Sequence, residues 1–135
     1  GDLAWAYFEA YHAGGSREYL TRAAEGFRQV LDLGVTKSYL YTDLYTVYYQ
    51  LGDYTAAGQA LDDYQTMYPQ DYMPHALRGM LLITVENQKE QSARDYRQAV
   101  SEYETAGQLI RSEDETAYYQ QLGSLIDQLR SNGWL

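Results

Sequence analysis

Apolar residues recur at three- and four-residue spacing along almost the whole chain, with polar residues filling the positions between. Segments near 2 to 14, 17 to 33, 38 to 51, 54 to 67, 72 to 86, 95 to 110 and 113 to 130 carry that period, and each predicts a helix. No stretch alternates β-branched with polar residues over a strand's length, and the only prolines are Pro69 and Pro74, so the expected fold class is all-α. Turn chemistry falls at the breaks: "GGS" at 14–16, "LGVTKS" at 33–38, Gly52, "YPQD" at 68–71 and the polar run "ENQKEQSAR" at 86–94. Capping patterns agree with these boundaries. Asp53 is placed to accept from the free amides of the next helix, Ser112 with Glu115 forms a capping box, and Asp95 with Gln98 a weaker version of it.

The stretch "YYQLGDYTAAGQALDDY", Tyr48 to Tyr64, stops one helix at Gly52 and starts another at Asp53. Such a reversal needs a left-handed residue at the helix end, which glycine adopts without a Cβ penalty, and an N-cap directly after it. Around this point the block from Ser38 to Asp71 is 34 residues long. Within it Tyr41, Leu44, Tyr48, Gly52, Tyr54, Ala57, Leu61, Tyr64 and Pro69 occupy a fixed pattern of bulky, small and turn positions. That pattern resembles the tetratricopeptide repeat (TPR), whose period is also about 34 residues. The block from Ala4 to Lys37 follows it with Tyr7, Ala23, Phe27 and Val30, although its turn "GGSREY" lacks the Gly-Asp-Tyr form. A third block from Tyr72 has Gly79 at the small position of its first helix, and Tyr96, Ala99, Tyr103 and Ala106 in its second. These last four arrive eight positions late, so an insertion near 86–94 is expected, either an elongated turn or an added helical turn. Tyr11 and Tyr45 stand where Gly79 is small, which implies wider helix contacts in the first two blocks, or a shifted register in the first.

The resemblance implies a right-handed superhelical array forming one domain over 1–135, with repeats at about 4–37, 38–71 and 72–113 and a capping helix at about 114–131. Tyr118, Leu122, Leu125, Ile126 and Leu129 form the apolar side of that last helix, opposite Gln120, Gln121, Asp127 and Gln128. In TPR proteins the first helix of each pair lines a concave face. Carried over, the lining is Trp5, Phe8, Glu9 and His12, then Tyr39, Thr42, Asp43, Thr46 and Tyr49, then Met73, Ala76, Leu77, Met80 and Ile83. An aromatic and apolar groove of this kind suits a peptide or helix with apolar anchors, or an adjoining segment of the parent chain. The cationic clamp with which some TPR domains grip carboxylate-terminated chaperone tails has no counterpart, because Phe8, His12, Asp43, Met73 and Leu77 stand at its positions. A chaperone C-terminal carboxylate motif is therefore not expected as a partner. A narrower resemblance joins "NQKEQSARDY" and the terminal "LRSNGWL" to the C-terminal TPR regions of bacterial serine/threonine protein kinases. It implies, as the alternative, a regulatory or oligomerisation region of a larger signalling enzyme, with Trp134 and Leu135 as a docking tail.

Composition narrows the function classes. Acidic residues outnumber basic ones by 19 to 10, a formal net charge of -9, which disfavours nucleic acid as a partner. The chain has no cysteine, so disulfides and thiolate chemistry are excluded. No apolar run reaches membrane-spanning length and no signal segment opens the chain, which begins at "GDLAWAYF" without Met and reads as a cytoplasmic fragment of a longer protein. Tyrosine is abundant, 16 residues against 2 Phe, and fits half-buried helix faces or an interaction surface better than a deep core.

Catalytic motifs are missing. Neither GxGxxG nor GxxxxGK[ST] nor GxSxG occurs, and His12 and His75 are 63 positions apart without an accompanying metal pattern. Asp62 with Asp63 and the "EDE" at 113–115 lie on or at the starts of helices, where solvation and the macrodipole account for them. The expected protein is a scaffold without enzymatic activity, cofactor or metal.

Overall fold

The structure is a computed structural model that describes residues 2–110, 123, 124 and 126–128. Among these residues it is all helical: α1 Asp2–His12, α2 Arg17–Asp32, α3 Ser38–Leu51, α4 Tyr54–Met67, α5 Met73–Asn87 and α6 Arg97–Leu109, with a 3-10 turn at Gln91–Ala93. Each boundary lies within two residues of the break expected from turn chemistry. Ser112 and Glu115, most of the expected capping helix, and Trp134 and Leu135 lie outside the described residues. No helix among the described residues is long and apolar enough to cross a membrane.

The α3–α4 reversal shows local sequence fixing geometry. Gly52 takes a left-handed conformation, φ 76° and ψ 10°, and its amide and that of Asp53 close onto the Tyr49 and Tyr48 carbonyls. Asp53 then caps α4, its Oδ1 accepting from the Ala56 amide at 3.1 Å.

The chain divides after Tyr68 into two compact units. In the first, α1 packs on α2, α2 on α3 and α3 on α4. Its core consists of Leu20, Ala23 and Phe27 from α2, Leu40, Tyr41 and Leu44 from α3, and Ala57, Leu61 and Tyr64 from α4, all buried. Arg28 ties α2 to Asp63 of α4 at 3.2 Å, and Arg17 donates to the Leu51 carbonyl at the end of α3.

In the second unit α5 packs on α6. Tyr103 and Ala106 of α6 bury Ala76 of α5, with Ile83 and Ile126 packed against them. Ile126 is turned inward while Asp127 and Gln128 are exposed, the sidedness expected of these three residues.

Three expectations need correction. Tyrosine goes deeper than half-buried faces: Tyr41, Tyr45, Tyr64, Tyr96 and Tyr103 are all buried. Tyr41 stacks on Tyr64 with ring centroids 5.5 Å apart, and the hydroxyl of buried Tyr96 finds Asn87. With only two Phe in the chain, tyrosine supplies the core volume, and a hydroxyl near a helix end can be satisfied there. Secondly, wider contact does not extend along the first pair, because close approach has moved along the helix. A Cβ at Gly26 would lie 2.8 Å from that of Ala4, while at Gly79 it would meet the Tyr103 ring at 2.6 Å. Thirdly, Asp95 does not form a capping box. The residue preceding α6 is Tyr96, and Asp95 instead accepts from the Arg97 amide two residues on and pairs with the Arg97 guanidinium at 2.7 Å.

The segment near 86–94 is an elongated turn built on one carboxylate. The buried Glu86 accepts from the Asp95 amide at 2.9 Å and pairs with Lys89 at 2.6 Å. The Lys89 hydrogen bond, with that of the Asp95 amide, holds the Glu86 carboxyl below its usual range. Arg94 closes the turn from the other side by donating to the carbonyls of Asn87 and Lys89.

Candidate functional site

The residues expected to line a binding face lie on α1, α3 and α5. On α1, Trp5, Phe8 and His12 form a ring ladder at i, i+3 and i+7, with centroids 5.5 Å apart from Trp5 to Phe8 and 4.5 Å from Phe8 to His12. Trp5 also meets the buried Phe27 of α2 edge-on at 6.0 Å, which fixes the ladder to the core. On α3, Tyr39 is exposed, and Thr42, Thr46 and Tyr49 are half-buried. Both threonine hydroxyls donate into their own helix, Thr42 to the Tyr39 carbonyl and Thr46 to the Thr42 carbonyl. Tyr49 meets the rings of Tyr45 and Tyr54 at 5.9 and 5.6 Å, so it braces the end of the helix pair.

On α5, Met73 and Leu77 are half-buried and Met80 is exposed. Ile83 packs against the clusters around Tyr103 and Tyr96 of α6. Ala76, which the same register placed on this face, is instead buried against Tyr103 and Ala106. It lies one residue from Leu77 and so about 100° around the helix from it.

α3 carries a feature that residue types alone do not reveal. Asp43 Oδ2 and Gln50 Oε1 are buried and accept no hydrogen bond. Seven residues separate them, two helical turns, so both lie on the face that also carries Tyr39 and Thr46. Burial lifts the Asp43 carboxyl to about 6, against a weaker opposing pull from the amino-terminal charge. The cations of α2, which packs against α3, are engaged elsewhere: Arg17 with Leu51, Arg22 with Glu18 and Arg28 with Asp63. Asp43 was legible as an acid on this face. Gln50 was missed, and a position two turns from Asp43 was the one signal that could have found it.

Other polar clusters are internally satisfied. His75 Nδ1 lies 2.7 Å from Glu102 Oε2, and Arg78 approaches the other oxygen of Glu102 at 3.8 Å, bracing α5 against α6. Between α1 and α2 a cleft of about 390 Å³ is lined by Leu3, Tyr7, Glu18, Arg22 and Gly26 among others. Its cation is already paired, with Arg22 bound to Glu18 at 2.9 Å and lying 5.7 Å over the Tyr7 ring. Among the described residues, no three His, Asp or Glu side chains gather as they would around a metal ion.

No family model matches this sequence, and no curated protein matches it. Solved structures do share the fold. One structure of the Yersinia enterocolitica type III secretion translocator chaperone SycD, described as an alternative dimer, superimposes with a TM-score of 0.76 at 15% identity, covering 99% of this chain and 93% of that one. A second SycD structure gives 0.74 at 16% identity, covering 94% and 87%. The fold is therefore the helical, TPR-like fold of SycD.

Two expectations are revised by these likenesses. They lend no support to the kinase association. The separation from chaperones is overturned, since both similar structures are of a chaperone. That separation rested on a missing cationic clamp, which reads one carboxylate-terminated ligand and has no bearing on chaperones with other clients.

Proposed function

We propose that the chain is a non-catalytic protein-binding module whose TPR-type repeats, at about 4–37, 38–71 and 72–113, each offer their first helix to polypeptide segments with apolar and aromatic side chains. The observation that carries this reading is the exposure of large apolar side chains on those helices. Trp5, Tyr39 and Met80 are 36, 53 and 44% exposed, although the chain buries tyrosine elsewhere. Rigid aromatic anchors held on helices supply most of the energy of an interface at little entropic cost. The likeness to a translocator chaperone supports a polypeptide as the class of partner and a binding role without chemistry.

The test is a peptide array of apolar and aromatic segments, read by fluorescence anisotropy for the hits, with wild type compared against Tyr39→Ala and Met80→Ala made separately. Both residues are solvent-exposed, so each variant is expected to keep its fold. Loss of an interface anchor should weaken binding of the peptides that use it by about fivefold or more. Unchanged affinity for the same peptides in both variants would refute the reading.

A further inference from the structure

We infer that Asp43 is a subsite for a cationic side chain, arginine or lysine, of the polypeptide that occupies the α3 face. The cation belongs to the partner proposed above, and to that extent the assignment rests on that reading. Three observations carry it. Asp43 Oδ2 is enclosed without a donor, and the residue as a whole still reaches the surface, so a ligand can approach the carboxylate from its open side. No described residue pairs with it: the three arginines of α2 are spent on Leu51, Glu18 and Asp63, and the pull of the amino-terminal charge is outweighed by burial.

The same face of α3 carries Tyr39 and Thr46, and Thr46 sends its hydroxyl to Thr42 rather than to Asp43. A carboxylate that has lost water on one side and gained no partner leaves an uncompensated cost, which an arriving guanidinium or ammonium removes. The net charge of -9 adds long-range attraction for such a segment.

Gln50 extends the subsite. Two helical turns set its Cα about 10 Å from that of Asp43 along the axis, close to the length of three residues of extended chain. A segment running along α3 with its cation at Asp43 thus brings a main-chain N–H within reach of the Gln50 amide oxygen once that side chain turns outward. Apolar anchors give such a partner its affinity, and the cation sets its register.

The experiment is an NMR titration of the full chain with butylguanidinium in the low millimolar range, with neutral butylurea as the isosteric control. The Asp43 carboxyl resonance and the backbone amides of Thr42 to Tyr45 should move saturably with butylguanidinium and not with butylurea. Asp43→Asn should abolish the response, whereas Asp32→Asn, which removes an exposed acid at the end of α2, should leave it intact. A response that fails to saturate, that butylurea reproduces or that survives Asp43→Asn would overturn the subsite. The peptide array separates the two readings. Saturation by butylguanidinium with unchanged peptide binding in both Tyr39→Ala and Met80→Ala would sink the apolar anchors alone, and the converse would sink the subsite alone.

Discussion

Replacing Asp43 by asparagine should stabilise the protein at neutral pH, and the gain should vanish in acid. The Asp43 carboxyl sits at about 6 rather than 3.8, chiefly because burial disfavours its charge, so the folded chain holds the proton about a hundredfold more tightly than the unfolded one. Each tenfold is worth about 1.4 kcal/mol, which sets a ceiling of about 3 kcal/mol. Asp43 is only part-buried, and water on its open side screens the charge, so about 1–2 kcal/mol is the expected penalty.

The sign follows from linkage. A raised carboxylate favours folding below the unfolded value near 4, and that contribution is lost as pH rises through 6. Asparagine keeps the shape and has no charge to lose. The wild type should therefore fall behind Asp43→Asn progressively, reaching only about a third of the full gap at pH 4.5 and all of it above pH 7. Urea unfolding between pH 4.5 and 8 measures this. In a Trp134→Phe background Trp5, packed edge-on against Phe27, reports on the first unit. Parallel pH profiles for the two proteins, or a variant weaker than wild type at pH 8, would show that Asp43 is not held desolvated.

Other outcomes follow from single contacts. Gly79→Ala drives a Cβ to 2.6 Å from the buried Tyr103 ring, and overpacking there should cost about 1–3 kcal/mol in urea unfolding; a neutral change would mean that α5 and α6 can part freely. At Gly52, φ of 76° is costly for any residue with a Cβ, so Gly52→Ala should lose about 1 kcal/mol while the helix content by circular dichroism stays unchanged. Glu86→Gln removes the charge that gathers Lys89 and the Asp95 amide, so hydrogen exchange at the Asp95 amide should quicken while exchange within α4 is unaffected.

Where helices begin and end was legible because the information is local. Gly52 can adopt a left-handed turn whatever packs nearby, Asp53 reaches amides three residues away, and apolar periodicity states which side of each helix turns inward. The small residue at Ala57 and the bulky one at Leu61 also announced their burial by type and spacing. Where pairs approach most closely was not local. Gly79 is small because Tyr103 of another helix stands over it, and Ala4 and Gly26 took over that role in the first pair.

The candidate site divides along the same line. Periodicity and repeat spacing determined that Tyr39, Asp43, Thr46 and Tyr49 share a region of one helix. Only the tertiary structure decided what each can offer a ligand, because desolvation depends on every atom that comes to surround a group. Identical aspartates thus end differently: Asp53 caps a helix and Asp63 pairs with Arg28, while Asp43 is left with an enclosed oxygen and no donor. No amount of sequence periodicity carries that distinction, since it is set by which cations the packing of α2 against α3 and the Arg28–Asp63 pair to α4 have already spent.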